Sequence, residues 1–142
     1  MHDLATACPQ TIYVAAAIIT NDNGETLLVR KKDTKTFMQA GGKIETNESP
    51  ETALSRELYE ELGFSPTPTD MTYIGQFSAP AANESNHIVK AEIFRVATTP
   101  NIELKPAAEI AEILWHKSLP EQEVSIAPLS SMLLDYSVSN SL

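Results

Sequence analysis

The sequence predicts an α/β protein in which helices cover a mixed β-sheet. Short apolar or β-branched runs recur along the 142 residues, a helix with clear ends interrupts them, and a second helical segment follows near the C-terminus. Strands on both sides of a central helix are typical of a sheet with helices on its faces. The length suits one core, so we expect residues 1–142 to form a single domain.

Three strands are predicted before the central helix. Residues 11–20 and 25–32 form short apolar runs, and Asn23-Gly24 between them is a strong hairpin signal because both residues tolerate positive φ. Residues 36–39 predict a further short strand. We expect Gly41-Gly42 to interrupt the strand pattern after it.

The central helix is predicted from its ends. Ser49 is a suitable N-cap, and Pro50 fits the first turn, where its missing N–H costs nothing. Gly63 stands where a left-handed C′ residue is expected. The helix should therefore span residues 50–62. Strands are expected at 72–79, 87–98 and 109–117, and a terminal helix at 126–136 with Pro128 in its first turn.

Charge and composition exclude several classes of function. A net charge of -9 argues against binding of long nucleic acids, although it permits a small phosphorylated ligand held through a divalent cation. No apolar run reaches membrane-spanning length, and the N-terminus lacks the features of a signal peptide. We therefore expect a cytoplasmic protein with no membrane partner. A homodimer remains open.

The central helix carries an acidic cluster beside its apolar face. At about 100° per residue, an apolar stripe is formed by three leucines: Leu54, Leu58 and Leu62. Glu57, Glu60 and Glu61 occupy the adjoining arc, with Glu61 nearest the leucines. Glu57 and Glu61 repel each other at i,i+4 spacing. A hard divalent cation such as Mg²⁺ would neutralise this charge, whereas the alternative is an ordinary acidic helix surface.

The spacing around this cluster is distinctive. The segment contains Gly42, five residues, Glu48, seven residues, and then Arg56 followed by ELYEELGF. This resembles the Nudix box, Gly-x5-Glu-x7-Arg-Glu-U-x-Glu-Glu-x-Gly-U, in which U is a bulky apolar residue. Every fixed position is met, and Ala40 stands where many members have proline. The segment is therefore identified as a Nudix box of a MutT-like, single-domain member.

The resemblance implies a fold and a reaction. The family folds as an α/β/α sandwich with a central mixed β-sheet and helices on both faces. Its members use Mg²⁺ or Mn²⁺ to cleave a phosphoanhydride bond in a nucleoside diphosphate linked to another group. We expect conversion of a nucleoside triphosphate to a monophosphate and pyrophosphate. The alternatives are cleavage of ADP-ribose or another nucleotide sugar, suggested by Pro80, and a non-catalytic nucleotide-binding domain.

The resemblance also assigns roles within the box. Glu57, Glu60 and Arg56 would be catalytic, with Glu57 either a metal ligand or the base that activates water. The implied metal ligands are the carboxylates of Glu57, Glu60 and Glu61, together with the Gly41 carbonyl. Structural support would come from the remaining box positions: Gly42, Glu48 and Gly63, with Glu48 and Arg56 forming an ion pair that orients Glu57.

Some site residues are predicted outside the box. Family members often use another glutamate from a distant loop, for which Glu109 is the candidate, with Glu112 and Glu84 as rivals. Arg30 and Lys43 belong to a cluster of bases that precedes the acidic helix, and we expect them to contact substrate phosphates. Glu84, in the loop after Pro80, is expected to contact the substrate.

Overall fold

The computed structural model describes residues 9–82, 85–99, 102–117 and 125–140. In this part of the chain the helices are α1 (Pro50–Leu62) and α2 (Pro128–Asn140), with a 3-10 turn at Pro68–Asp70. The strands are β1 (Gln10–Ile18), β2 (Thr26–Lys31), β3 (Thr36–Met38), β4 (Gly41–Lys43), β5 (Met71–Pro80), β6 (His87–Val96), β7 (Ile110–His116) and β8 (Ser125–Ile126). No helix within these ranges is long and apolar enough to cross a membrane.

The strands form two mixed sheets. One four-stranded sheet has the order β4-β1-β6-β5 and the other has the order β7-β2-β3-β8. The β1–β6 and β3–β8 pairs are parallel, and the remaining pairs are antiparallel. A single antiparallel bridge, Thr20 to Thr26, links the end of β1 to the start of β2 among the described residues. The expected α/β fold with a mixed sheet is thus confirmed, with its strands divided between two sheets.

The helices cover opposite faces of β1 and β6. Side chains alternate between the two faces of a strand. Ala15 and Ala17 therefore face α1, where they pack in one core with the buried leucine stripe and with Phe94. The alternate residue Ile18 packs with Leu133 of α2 in a second core. Burying each leucine contributes about 1.5–3 kcal/mol, so the leucine stripe fixes α1 on its face and turns the adjoining acidic arc towards β4.

Helix α1 has the predicted ends. The Ser49 side chain accepts a hydrogen bond from the backbone N–H of Thr52 at 3.2 Å, which satisfies one of the free amides of the first turn. At the other end Gly63 adopts φ 76°, and its N–H donates to the Tyr59 carbonyl at 3.0 Å. A left-handed residue suits glycine because it has no Cβ. The prediction of residues 50–62 is confirmed.

One local expectation was wrong, and a second is confirmed with a different loop. Gly41-Gly42 does not interrupt the strand pattern but forms most of β4, because this segment pairs with β1 along Ala15 and Ala16. The hairpin expected at Asn23-Gly24 is present locally, because Thr20 and Thr26 form an antiparallel bridge and the Leu27 N–H donates to the Ile19 carbonyl at 2.8 Å, but its loop is closed by Asn21. The Asn21 side-chain oxygen accepts the N–H groups of Asn23 and Glu25, and only Gly24 in this loop has positive φ, at 76°.

Candidate active site

The three box glutamates differ in their exposure to solvent. Glu61 is buried, Glu57 is mostly buried with 17% of its side chain exposed, and Glu60 is half exposed. The order follows from the helical positions, because Glu61 lies next to the leucine stripe that packs on the sheet. The predicted placement of Glu61 nearest the leucines is therefore observed. The acidic arc faces the start of β4 and is not part of the solvated helix surface.

Arg56 links the loop before α1 to the acidic arc. Its Nε and Nη2 donate to the two carboxylate oxygens of Glu48 at 2.8 and 2.9 Å. Its Nη1 donates to Glu57 Oε2 at 3.0 Å, and Nη2 also donates to the Lys43 carbonyl at 3.1 Å. Bidentate pairing of this kind fixes both distance and direction. The hydrogen bonds from Arg56 hold the pKa of Glu48 at about 2, and the guanidinium orients Glu57.

The two glycines of β4 are required by close contacts. A Cβ on Gly42 would lie 2.3 Å from the carboxyl carbon of Glu57 and 2.5–2.6 Å from its oxygens. A Cβ on Gly41 would lie 2.2 Å from the Ala15 carbonyl oxygen, and Gly41 has φ 148°. Any side chain at either position would therefore displace the backbone or the Glu57 carboxylate.

Gly41 also contacts the buried glutamate. Its N–H donates to Glu61 Oε1 at 3.1 Å. The Ala17 N–H bonds to the Ala40 carbonyl at 3.0 Å, so the adjacent pair, Ala16 and Gly41, is a non-hydrogen-bonded pair of the antiparallel ladder. In such a pair the N–H and C=O groups both point away from the partner strand. The Gly41 carbonyl is therefore not used by β1 and lies on the same side of β4 as the bond to Glu61.

The buried carboxylates are held in an unfavourable environment for negative charge. Burial, with smaller contributions from the charges of Glu57 and Glu109, raises the pKa of Glu61 to about 8, against the hydrogen bond from Gly41 and the charge of Lys31. Burial also raises the pKa of Glu57, with contributions from Glu60 and Glu109, although Arg56 opposes this. Without additional positive charge, Glu57 and Glu61 therefore ionise less readily than exposed glutamates.

The carboxylates are the type of ligand that a hard divalent cation prefers, but their present arrangement is not that of a metal site. Within the described residues, no three Asp, Glu, His or Cys side chains are arranged to hold a metal ion. Glu57 is paired with Arg56, and Glu61 bonds to the Gly41 N–H. The donors available are all oxygens, as Mg²⁺ prefers, and the raised pKa of Glu61 marks a buried acid without sufficient positive charge.

The predicted residues outside the box have separate outcomes. Glu109 lies near the acidic arc, because its charge raises the pKa of both Glu57 and Glu61. Its rival Glu112 pairs instead with Arg30, whose Nε donates to Oε1 at 2.9 Å. Arg30 Nη1 also donates to the Thr34 carbonyl at 2.7 Å, so its guanidinium is engaged in protein contacts. Glu84 lies outside the described residues.

A pocket adjoins the acidic arc. Its polar lining includes Glu61, Lys31, Lys43 and Gln39, together with the backbone of Gly41-Gly42. Its apolar lining includes residues of β1, β3 and α2 and of the loop after β5, among them Ile12, Val14, Ala16, Met38, Ala81 and Leu129. An apolar cavity with a few convergent polar groups is the usual form of a small-molecule site. The pocket therefore joins Glu61, at the end of the acidic arc, to a surface that suits an organic ligand.

Sequence reasoning missed Lys31 and Gln39 as residues of the pocket. Every second residue of β2 faces α1, as Leu27 and Val29 do. The same alternation places Lys31 on that face, so its position could have been predicted from the sequence. Gln39 gave no such signal, because its neighbour Ser130 is 91 residues away in the chain. Arg30, the predicted phosphate contact, does not line the pocket, whereas the predicted Lys43 does.

Comparison with known proteins places this geometry in a family. The NUDIX domain model matches residues 10–130. A MutT-like protein of Streptomyces ambofaciens is 29% identical over 121 residues, which cover 85% of this chain and 71% of that protein. The 8-oxo-dGTP diphosphatase of Haemophilus influenzae is 45% identical over 56 residues, which cover only 37% of this chain and 41% of that enzyme.

The solved structures agree with the family match. The solution structure of the E. coli ORF135 protein superposes with a TM-score of 0.69 and 29% identity, covering 97% of this chain and 94% of that one. The crystal structure of the MutT protein from Methanosarcina mazei Go1 gives a TM-score of 0.72 at 24% identity, covering 94% and 98%. With the complete box, the paired Glu48 and Arg56 and a family match over most of its length, this chain belongs to the Nudix hydrolase family.

Proposed function

We propose that this chain is a pyrophosphohydrolase that uses Mg²⁺ or Mn²⁺ to convert a nucleoside triphosphate to a monophosphate and pyrophosphate. The observation that carries the proposal is the buried, incompletely neutralised carboxylate of Glu61 beside a pocket with two lysines. Nudix hydrolases generally use a divalent metal, and this carboxylate is the feature of the chain that calls for one.

A second buried glutamate provides the contrast. Glu92, on the same side of the β4-β1-β6-β5 sheet, accepts hydrogen bonds from the Tyr13 hydroxyl, the Tyr73 hydroxyl at 2.6 Å and Gln76 Nε2 at 2.9 Å. Burial raises the pKa of Glu92, but these bonds outweigh it and hold the pKa below its ordinary value. The Glu92 carboxylate therefore accepts hydrogen bonds from three side chains, whereas the one hydrogen bond described for the Glu61 carboxylate comes from the Gly41 N–H.

The residues that would hold the cation are Glu60 and Glu61, with the Gly41 carbonyl beside them. A bound divalent cation supplies neutralisation of the phosphate oxygens and lowers the pKa of a coordinated water. Glu109 is proposed as an additional acid at this site, because its charge acts on both Glu57 and Glu61.

We assign the proton-accepting role to Glu57. Arg56 holds one carboxylate oxygen, Oε2, at 3.0 Å and so fixes the direction of the group. Burial raises the pKa of Glu57, which brings it closer to the working pH of a general base. Glu57 would therefore take the proton from the water that attacks phosphorus, while Glu48 and Arg56 keep the carboxylate in place.

The lining of the pocket favours a nucleotide substrate. Lys31 and Lys43 lie where they would contact phosphate oxygens, and the apolar lining suits the faces of a base. The local similarity to an 8-oxo-dGTP diphosphatase supports a nucleoside triphosphate. ADP-ribose remains the second candidate, because Pro80, whose position suggested that substrate class, also lines the pocket.

Product analysis in ¹⁸O-labelled water tests the reaction. Incubation of dGTP, 8-oxo-dGTP and ADP-ribose with Mg²⁺ should yield a monophosphate and, for the triphosphates, pyrophosphate, with one label incorporated. Glu57→Gln should reduce turnover by roughly 10²–10⁴-fold with the fold retained. Glu51→Gln, on the first turn of the same helix, serves as the control and should leave turnover unchanged. Release of labelled orthophosphate from a triphosphate, with the nucleoside diphosphate left intact, would refute the proposal.

A further inference from the structure

We propose that the side-chain amide of Gln39 donates a hydrogen bond to a ring carbonyl oxygen of the bound base, so that the pocket selects keto bases over amino bases. The proposal rests on the proposed function, since it assumes that the pocket holds a nucleotide. It adds a residue that reads the base and a chemical class of base that the pocket accepts.

Gln39 is a buried polar residue in the wall of the pocket. It directly follows β3, and only 6% of its surface is exposed. Its backbone N–H donates to Ser130 Oγ at 3.0 Å, and the Ser130 hydroxyl donates in turn to Gln39 Oε1. Among the described residues, Gln39 Nε2 has no hydrogen-bond partner.

The reciprocal contact with Ser130 fixes the amide. Ser130 is itself buried, with 1% of its surface exposed, and its hydroxyl is held by α2. With Oε1 already accepting from Ser130, the group that remains unsatisfied is the amide NH₂. Buried donors are nearly always paired in native proteins, so an unpaired donor in a pocket wall points to a ligand acceptor.

The chemistry of an amide nitrogen narrows the ligand. It has two N–H donors and no acceptor, so it complements a carbonyl oxygen such as O6 of guanine or hypoxanthine, or O4 of uracil. The exocyclic amino group of adenine or cytosine would place donor against donor. Val14, Ala16 and Leu129 supply apolar lining near Gln39, where one unmatched polar group has a large effect on selectivity.

The charged groups of the same pocket limit how the nucleotide is oriented. Lys31, Lys43 and Glu61 also line it, so the phosphates are directed towards β4 and the end of α1. The base is then left to the apolar wall that includes Gln39 and Leu129. The proposed hydrogen bond from Gln39 therefore contacts the base, whereas the Nudix-box residues act on the phosphates.

The test compares two nucleotides that differ in this group. Inosine triphosphate has a carbonyl at position 6, and adenosine triphosphate has an amino group there. We expect kcat/KM of the wild type to favour inosine triphosphate by about tenfold or more. Gln39→Met, of similar volume but without a donor, should reduce that ratio by about tenfold. Gln39→Glu, which retains the acceptor for Ser130, should reverse the preference.

A control variant and a binding measurement make each outcome decisive. Met132→Leu changes an exposed apolar residue of α2 that does not line the pocket, and its ratio should match the wild type. Calorimetry with inosine and adenosine monophosphates measures the same preference without turnover. Binding preference that depends on Gln39 in a protein without hydrolytic activity would support the inference while refuting the proposed function. Active Gln39 variants with an unchanged ratio, or no binding of either monophosphate, would overturn the inference.

Discussion

At the scale of single residues, the position of Glu57 depends on the absence of a side chain at Gly42. The space that a Cβ on Gly42 would occupy holds the Glu57 carboxyl group, whose carbon lies only 2.3 Å from that point. Arg56 holds the same carboxyl group from another direction through a 3.0 Å hydrogen bond. Gly42 therefore leaves space for the Glu57 carboxyl group, and Arg56 holds that group by a charged hydrogen bond.

Gly42→Ala should reduce turnover strongly while the chain still folds. The added methyl forces Glu57 away from its position, and a small misplacement of a reacting group costs about 10²-fold in rate. Gly24→Ala is the control, because no atom lies within 4 Å of its added Cβ. Its positive φ should cost about 1 kcal/mol of stability without affecting turnover. Equal turnover of Gly42→Ala and wild type, measured on folded protein, would contradict the steric role.

The ion pair of Glu48 should appear in acid denaturation. Hydrogen bonds from Arg56 lower the pKa of Glu48 from 4.5 to about 2 in the folded chain. The folded state therefore holds fewer protons than the unfolded state between these values, and stability falls as the pH decreases through them. Urea unfolding between pH 5 and 2 should show a smaller decrease for Glu48→Gln than for the wild type. Parallel curves would exclude this contribution.

At the scale of elements, features that depend on neighbouring residues could be predicted from the sequence. The ends of α1 follow from Ser49, Pro50 and Gly63, whose effects are local. Strand β4 was missed because glycine is disfavoured in strands, and its pairing with β1 depends on residues 25–29 positions away. The pocket wall was missed for a similar reason, since Gln39 meets Ser130 only in the folded chain.

Ser49→Ala should destabilise the chain through α1. The substitution removes the acceptor for the Thr52 N–H at the helix N-terminus, which typically costs about 1 kcal/mol. Urea unfolding measures the change. Ser49→Asp keeps an acceptor at the same position and should retain wild-type stability. If Ser49→Ala and Ser49→Asp unfold at the same urea concentration, the cap does not contribute.

At the scale of the whole molecule, a divalent cation should stabilise the folded chain. A ligand that binds only the folded state at 100 times its Kd adds about 2.7 kcal/mol. Thermal melting in EDTA and then in millimolar Mg²⁺ should therefore show an increase in Tm. Glu61→Gln should remove most of this increase, because it replaces the buried carboxylate.

Glu51→Gln is the matched control for the melting experiment, since it neutralises an acid on the first turn of α1. Its melting temperature should rise with Mg²⁺ as in the wild type. An identical response of Glu61→Gln and Glu51→Gln would argue that the cation binds elsewhere. The experiment is best repeated with a non-hydrolysable nucleotide, which would complete a weak site.

The placement of the two helices on opposite faces of β1 has a consequence for how mutations affect ligand selectivity. The carboxylates belong to α1, whereas Ser130 and Leu129 in the pocket wall belong to α2 on the other face of β1. Mutations on α2 can therefore alter which ligand fits without disturbing the acidic residues. Grafting residues 127–134 from a relative with other preferences should yield a hybrid with inherited selectivity and unaltered chemistry. The two faces of this sheet thus separate the α2 part of the pocket wall from the reactive carboxylates of α1.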